Sequence, residues 1–305
     1  MSSVEKFLES CLVLPGSEVR LRDYDPTWAG DKDTPKAERR EQAEKSLSES
    51  TTQLEESQDL LYAADTWSVL VVLQAMDAAG KDSTIKHVMS GVNPQGCEVH
   101  SFKQPSAEEL DHDFLWLCSK VLPERGRIGI FNRSYYEEVL VTRVHPELIE
   151  KQRLPTEEHG KKLWEHRYES INNFERHLTR NSTKIIKIFL NVSREEQTRR
   201  LLERASRKEK HWKFSLADMD EREFWNDYIE AYEACLSETS TKWAPWHIVP
   251  ADHKWVTRAL VSHIIASQIK ELPLEYPQLS DDRNREIEAA KKKLEEELKE
   301  KEKKD

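Results

Sequence analysis

The stretch from Val69 to Lys86 limits what this chain can fold into more than any other. An apolar run with β-branched residues, Val69 to Leu73, gives way to small residues, then to Gly80-Lys81, then to a helix-like segment. Strand, tight loop and helix in that order build a phosphate-binding loop. The first turn of a helix leaves backbone N–H groups unpaired and carries partial positive charge, so a phosphate chain can sit there. Lys81 reaches such a phosphate as a movable point charge. Against the pattern G-x-x-x-x-G-K-[ST], Ala75 stands for the first Gly and Asp82 for the final Ser or Thr. A Gly-Lys after a strand is also compatible with an ordinary turn.

Around this stretch, strand-like and helix-like segments alternate. Residues 1–35 carry Pro15, Gly16, Pro26, Gly30 and Pro35, which predicts an irregular segment across the surface. A helix is expected from Lys36 to Ala64, with Leu47, Leu54 and Leu61 on a narrow stripe that rests on the domain or forms an oligomer seam. The helix after the loop is expected to stop at Gly91. Further strands are expected over Cys97–Phe102, Arg127–Phe131, Lys184–Leu190 and Trp246–Val249. Capping boxes at Ser106–Glu109 and Ser193–Glu196 open helices, the first running to Lys120. Other helices are expected from Thr156, with Leu163, Trp164, Ile171, Phe174 and Leu178 on the apolar side, from Ser215 to Leu236, and from His253 to Ile269. Strands alternating with helices imply an α/β fold: a parallel sheet of five strands, helices on both faces, ligands at the carboxyl ends. From Asp281 charge blocks alternate at helical spacing, with Ile287, Leu294 and Leu298 on a thin apolar line. That segment reads as a solvated helix, or as a short coiled-coil contact.

The 305 residues suffice for a sizeable core. No apolar run approaches the ~18 to 20 residues of a membrane span, and the N-terminus lacks a secretory layout. A cytoplasmic protein without membrane contact is expected. Cys11, Cys97, Cys118 and Cys235 are widely spaced and read as reduced thiols rather than a disulfide framework or zinc site. A net charge of −10 argues against general nucleic-acid binding; a polyanion would need locally concentrated basic residues.

Such a concentration lies between residues 194 and 213, at Arg194, Arg199, Arg200, Arg204, Arg207, Lys208, Lys210 and Lys213. Runs of this kind usually form a solvated helix face. Here the run follows the fourth strand, where a mobile lid can close over phosphates and stabilise transferring charge. Trp212 and Trp225 read as lid packing. A carboxylate inside a phosphate cradle repels phosphate unless a cation intervenes, so Asp77 points to Mg²⁺ coordination or to orienting an acceptor. Asp82 has the same reading or a helix-start one. Asn132 ends a strand where a metal-binding Asp often stands, Arg133 would face the phosphates, and Glu137 could supply the missing carboxylate. Asn132 could equally cap a helix beginning near Ser134, and Glu138 reads as solvated. There is no H-E-x-x-H and no G-x-S-x-G, so a zinc enzyme and an α/β-hydrolase have no support.

Three motifs, Asp77-Ala-Ala-Gly-Lys-Asp82, Asn132-Arg-Ser-Tyr-Tyr-Glu-Glu-Val-Leu-Val-Thr-Arg-Val-His145 and Lys210-His-Trp-Lys-Phe-Ser215, resemble the polyphosphate kinase 2 family over residues 35–272. The resemblance implies a P-loop kinase fold with a helical lid, a homo-oligomer (dimer or tetramer), and reversible phosphoryl transfer between inorganic polyphosphate and nucleotides. Mg²⁺ would be required, with Mn²⁺ able to substitute, and metal binding would fall to Asp77. Asp77, Lys81, Asp82, Arg133 and Glu137 would be catalytic. Ala78, Ala79, Gly80, Lys81 and Ser83 would cradle phosphate, with Arg133, Arg143, Arg204, Arg207, Lys208 and Lys213 along the polyphosphate. Asp77, Asn132, Arg133 and Glu137 would contact the nucleotide, AMP, ADP or ATP, with other purine nucleotides as further acceptors. The Asn132 version of the second motif is similar to the class III branch, which uses both AMP and ADP. The implied layout is an N-terminal extension over 1–35, a catalytic domain over 36–272 with its lid at about 204–225, and a charged helical tail over 273–305. The alternatives are an ATP-dependent P-loop kinase of small metabolites, separable by donor, and a phosphate-sensing scaffold, which would tolerate loss of Asp77.

Overall fold

In a computed structural model the described residues are 3–155 and 160–302. Two compact units divide the chain, Met1–Leu274 and Glu275–Asp305. In the first, five parallel strands form one sheet: β1 (Ser68–Ala75), β2 (Cys97–Ser101), β3 (Ile128–Asn132), β4 (Thr183–Asn191) and β5 (Trp246–Pro250), in the order β2-β3-β1-β4-β5. Every residue of β1 is buried, which is why it reads as an unbroken apolar run rather than an alternating one. Leu73 pairs with Asn132 and Asn132 with Ser101. The carboxyl ends of β1, β2 and β3 are therefore level, and the loops leaving them meet.

The helices are α1 (Ser3–Cys11), α2 (Lys36–Ala64), α3 (Lys81–Val88), α4 (Ala107–Leu110), α5 (Trp116–Ser119), α6 (Glu137–Val144) and α7 (Glu147–Glu150). They continue with α8 (Lys161–Arg180), α9 (Arg194–Ser206), α10 (Ala217–Asp220), α11 (Trp225–Thr239) and α12 (Lys254–Lys270). Helix α2 packs along α12, burying Leu54 and Leu61. The residues before Lys36 do more than cross the surface. Val13, Val19 and Leu21 enter the core, and the Val13 N–H donates to the Trp246 carbonyl at 2.9 Å beside β5.

The chain departs from several expected boundaries. The helix after the phosphate loop ends at the Met89 cap, before Gly91. The capping box at Ser106–Glu109 forms with both of its hydrogen bonds, yet α4 stops at Leu110 and α5 begins only at Trp116. In between, the Asp113 carboxylate accepts from the Leu115 N–H at 2.9 Å, a local bond that competes with helix continuation. At Ser193 only half the box forms: its hydroxyl accepts from the Glu196 N–H, while the Glu196 carboxylate turns to Arg199 and Arg200. The expected start of a helix at Thr156 lies outside the described residues; α8 is described from Lys161. The expected single helix from Ser215 is α10, a 3-10 turn over Glu221–Phe224, and then α11.

In the second unit, α13 (Asp281–Glu302) carries Ile287, Leu294 and Leu298 exposed. All four cysteines are free thiols. Among the described residues no helix is long and apolar enough to cross a membrane.

Candidate active site

The β1–α3 loop turns sharply because Ala78 and Gly80 both adopt the left-handed conformation, with φ of +60° and +105°. At Gly80 that conformation favours a residue without Cβ. The loop brings Asp77, Gly80, Lys81, Asp82 and Ser83 onto the wall of one cleft of about 730 Å³, together with Ala78 and Ala79. Lys81 is 9 % exposed, and its Nζ donates to the Ala75 carbonyl at 2.7 Å and the Met76 carbonyl at 3.4 Å. Burial lowers its pKa, against the pull of Asp77, and Arg133 lowers it further.

The end of β3 faces this loop. The Asn132 amide donates to the Asp82 carboxylate at 2.9 Å and approaches the Ser101 hydroxyl at 3.4 Å. Asn132 therefore caps no helix; α6 begins at Glu137 without a side-chain cap. An Asp at 132 could not donate this bond, so the amide suits a site whose carboxylate stands at 82 instead. Arg133 has φ of +65°, a conformation that costs a non-glycine residue about 1 to 3 kcal/mol. Its guanidinium meets Asp77 at 2.9 Å. Burial opposes the Arg133 charge, but Glu137 and Asp77 outweigh it and hold its pKa above the ordinary value. Burial likewise raises the Glu137 carboxyl, against Arg133 and Lys81.

Two further pockets adjoin the cleft, of about 420 Å³ and 180 Å³, and Arg133 lies on the wall of all three. Glu137 lines both smaller pockets. The larger of them has Phe102, Phe114, Leu117 and Leu148 among its apolar walls. Glu138, expected in solvent, is 13 % exposed and lies 3.5 Å from Arg167.

The basic run splits by role. Arg200, 6 % exposed, donates to the Ala78 and Ala79 carbonyls of the phosphate loop at 3.2 and 2.5 Å. It also reaches the Ala251 and Asp252 carbonyls after β5 and the Glu196 carboxylate. Arg200 thus clamps the loop and has little donor capacity left for a phosphate. Arg204 and Lys210 face the cleft, Arg204 lying 3.6 Å from Asp218 and Lys210 pairing with Glu203. Burial raises the Asp218 carboxyl, and Asp77 adds to this. Among the described residues Arg143, Arg207 and Lys208 do not line the cleft. Arg143 donates to the Tyr168 hydroxyl, and Arg207 pairs with Glu203 and Glu209. The Lys213 side chain lies outside the described residues. Trp212, expected as lid packing, is 78 % exposed at the cleft edge, whereas Trp225 lines the smallest pocket.

Sequence reasoning missed Lys103 and Lys254 on the cleft wall, Asp218, and the clamp role of Arg200. Charge type marked Arg200 but not its direction; Lys103 and Lys254 sit in unremarkable segments with no local signal.

A family model described as polyphosphate kinase 2 matches residues 37–276. The chain belongs to the polyphosphate kinase 2 family. It is 54 % identical over 235 residues to an ADP-polyphosphate phosphotransferase of Rhodopseudomonas palustris, covering 77 % of this chain and 81 % of the relative. It is 44 % identical over 267 residues to an AMP/ADP-polyphosphate phosphotransferase of Meiothermus ruber, covering 87 % and 94 %. Its fold matches the crystal structure of polyphosphate kinase 2 from Arthrobacter aurescens TC1 with a TM-score of 0.82, at 35 % identity and over 95 % and 97 % of the two chains. The α/β sheet described above is therefore the P-loop kinase-like architecture of this polyphosphate kinase 2 family.

The residues present also bear on a divalent ion. Asp77 and Asp82 both face the cleft, and no group of three or more His, Cys, Asp or Glu among the described residues is placed to hold a metal. That donor set fits Mg²⁺ arriving on phosphates, since this ion takes one or two carboxylates and keeps its other ligands from phosphate and water.

Proposed function

We propose that this polyphosphate kinase 2 moves the terminal phosphoryl group of inorganic polyphosphate to AMP and ADP, reversibly. The observation that carries this reading is Arg133, which stands where the phosphate-loop cleft meets two adjoining pockets. Polyphosphate would lie along the cleft on the loop N–H groups, Lys81, Arg204 and the lysines at 103, 210 and 254. The acceptor nucleotide would enter the 420 Å³ pocket, with its base against the apolar walls and its phosphate at Arg133. Pockets of roughly 300 to 1,000 Å³ suit ligands of this size.

The chemistry needs positioning and charge stabilisation more than covalent help. Lys81 and Arg133 would neutralise the transferring group from two sides. Asp77 holds Arg133 in register through their 2.9 Å contact, and Asn132 holds Asp82. As polyphosphate enters, Arg204 would exchange Asp218 for phosphate and close the lid segment over the cleft, excluding water. Mg²⁺, held by Asp77 and Asp82 with the phosphates, would supply further charge neutralisation when bound. Mn²⁺ would fit the same oxygen donors. Action in the cytoplasm as a homo-oligomer is part of the same proposal, drawn from the family.

The deciding experiment offers long-chain polyphosphate, Mg²⁺ and no ATP, with AMP and ADP as separate acceptors. ATP from both supports the full reading. ADP phosphorylation without AMP phosphorylation would match the Rhodopseudomonas relative and narrow the acceptor. Turnover only with ATP as donor would replace the reading with an ordinary nucleotide kinase.

A further inference from the structure

Behind the β3–α6 turn lies a buried ion pair that lines none of the pockets described above. Glu175 on α8 and Lys187 on β4 are both 0 % exposed and 2.7 Å apart. Tyr135 and Tyr136, which directly follow Arg133-Ser134, donate their hydroxyls to the same Glu175 oxygen at 2.9 and 2.7 Å. Lys187 also donates to the Tyr136 hydroxyl at 2.9 Å and to the Thr239 carbonyl at the end of α11 at 2.7 Å. All three ammonium protons are thereby engaged. The Thr239 hydroxyl accepts from the Trp246 indole at 2.9 Å, and the Trp246 ring packs edge-on to Tyr136. One buried pair thus joins α8, β4, the end of α11 and the turn that carries Arg133.

Stability alone is a weak reason for such a pair. Withdrawing two charges from water is costly, and an apolar pair of similar volume often folds as well or better. Hydrogen bonds add what apolar packing lacks, namely direction. The turn they hold contains Arg133 in a left-handed conformation, which persists only where its surroundings over-determine it. Its other ties run from the Arg133 N–H to the Leu73 carbonyl, from the Gln74 amide to the Ser134 hydroxyl, from the Tyr136 N–H to that same hydroxyl, from the Arg133 guanidinium to Asp77, and from the Glu137 N–H to the Ser134 carbonyl. These fix the backbone of the turn. The two phenols add the side-chain ties on its far side, immediately before Glu137.

We propose that Glu175 and Lys187, acting through Tyr135 and Tyr136, are positioning residues that hold Arg133 and Glu137 at their working angle to the phosphates. The inference rests on the reading in which Arg133 contacts the transferring group. Loosening the network leaves the pockets intact for binding but blurs the geometry needed for transfer, so the loss falls on kcat rather than KM.

The test uses the full chain with polyphosphate and ADP. The double variant Glu175→Leu/Lys187→Met is expected to unfold cooperatively at a lowered temperature, because both phenols and the Thr239 carbonyl lose a partner. Its kcat should fall by about 100-fold with KM for both substrates little moved, the scale of a small misplacement in a reacting constellation. Tyr136→Phe, which keeps the ring packing, should show a smaller loss of the same kind and decides the matter alone if the double variant does not fold. Tyr136→Phe combined with Arg133→Lys should lose less than the product of the separate losses, because both act through one guanidinium. Wild-type kcat in folded Tyr136→Phe, or separate losses that simply multiply, would overturn the proposal. Unchanged turnover in Arg133→Lys would refute the role of Arg133 and the proposal with it; a loss there with multiplying effects refutes the network alone.

Discussion

At the scale of single residues, the site is an arrangement of opposed charges around one guanidinium. Lys81 rests on the Ala75 and Met76 carbonyls, so it is held at the strand end and needs little movement to meet a phosphate. Lys81→Ala and Asp77→Ala are each expected to lower kcat by about 100- to 1,000-fold, the scale of losing one preorganised electrostatic contact, with the far-UV circular dichroism of a folded protein. Retained turnover in folded Lys81→Ala would refute the role given to it. Glu137 supplies a pH signature. Its carboxyl is raised above the ordinary 4.5 by burial, so the folded state binds this proton more tightly than the unfolded one. The resulting stability is present below 4.5 and is lost as pH rises through the raised value. Glu137→Gln should remove that loss, read as a flatter dependence of Tm on pH above 4.5. Most of these residue types were legible, because a strand-loop-helix with Gly80-Lys81 has few other uses. The Asn132–Asp82 bond was not, since the two residues are far apart in sequence and meet only through strand register.

At the scale of elements, α9 does two jobs that its sequence does not separate. Its basic run marked it as part of a lid, yet Arg200 faces inward and ties the phosphate loop to the segment after β5. Arg200→Ala would leave several carbonyls without their donor and the Glu196 carboxylate with Arg199 alone. A destabilisation of about 3 kcal/mol is expected, measurable as a lower denaturant midpoint, together with reduced turnover from a slack loop. Equal stability of variant and wild type would show that water replaces the guanidinium. Gln197 also donates to the Asp77 carbonyl at 3.0 Å and accepts from Arg222 at 3.0 Å, so α9 links the loop to the 3-10 turn over Glu221–Phe224. The run that became α4 and α5 failed as one helix for a local reason, the Asp113 bond to Leu115. Its capping box marked a start correctly but carried no information about the end.

For the whole molecule, the parallel sheet sets the stage and its edge strand adds a stability term remote from the chemistry. His247 on β5 is 8 % exposed, with Nδ1 3.2 Å from the Lys187 carbonyl and Nε2 3.3 Å from the Gln268 amide. A carbonyl only accepts, so Nδ1 carries the proton and Nε2 accepts from Gln268. Burial pushes its pKa down from 6.5 to about 4. The unfolded state therefore binds this proton first, and the stability contributed by neutral His247 is present above 6.5 and lost as pH falls through about 4. Between pH 7 and pH 5 the loss should be about 2 kcal/mol. Urea unfolding at the two pH values measures it, and His247→Gln should lack that component. At the same scale, a chain of net charge −10 presents Lys81, Lys103, Arg133, Arg204, Lys210 and Lys254 on one cleft, a local reversal of sign that suits a polyanionic donor.

Apolar periodicity, loop composition and capping signals act over a few residues, and they sufficed for the alternating α/β plan, the five strands and the phosphate loop. That the stretches from Asp77 to Ser83 and from Asn132 to Glu137 lie at the ends of strands was legible for the same reason: each set is contiguous and follows a strand. Tertiary structure alone decided which cations face the cleft, because Arg204 and Arg207 have the same side chain and differ only in the direction the backbone gives them. It likewise decided that the N-terminal segment joins the core, and that Glu175 and Lys187 meet behind the Arg133 turn. Those pairings depend on the register and packing of elements distant in sequence, which no local pattern encodes.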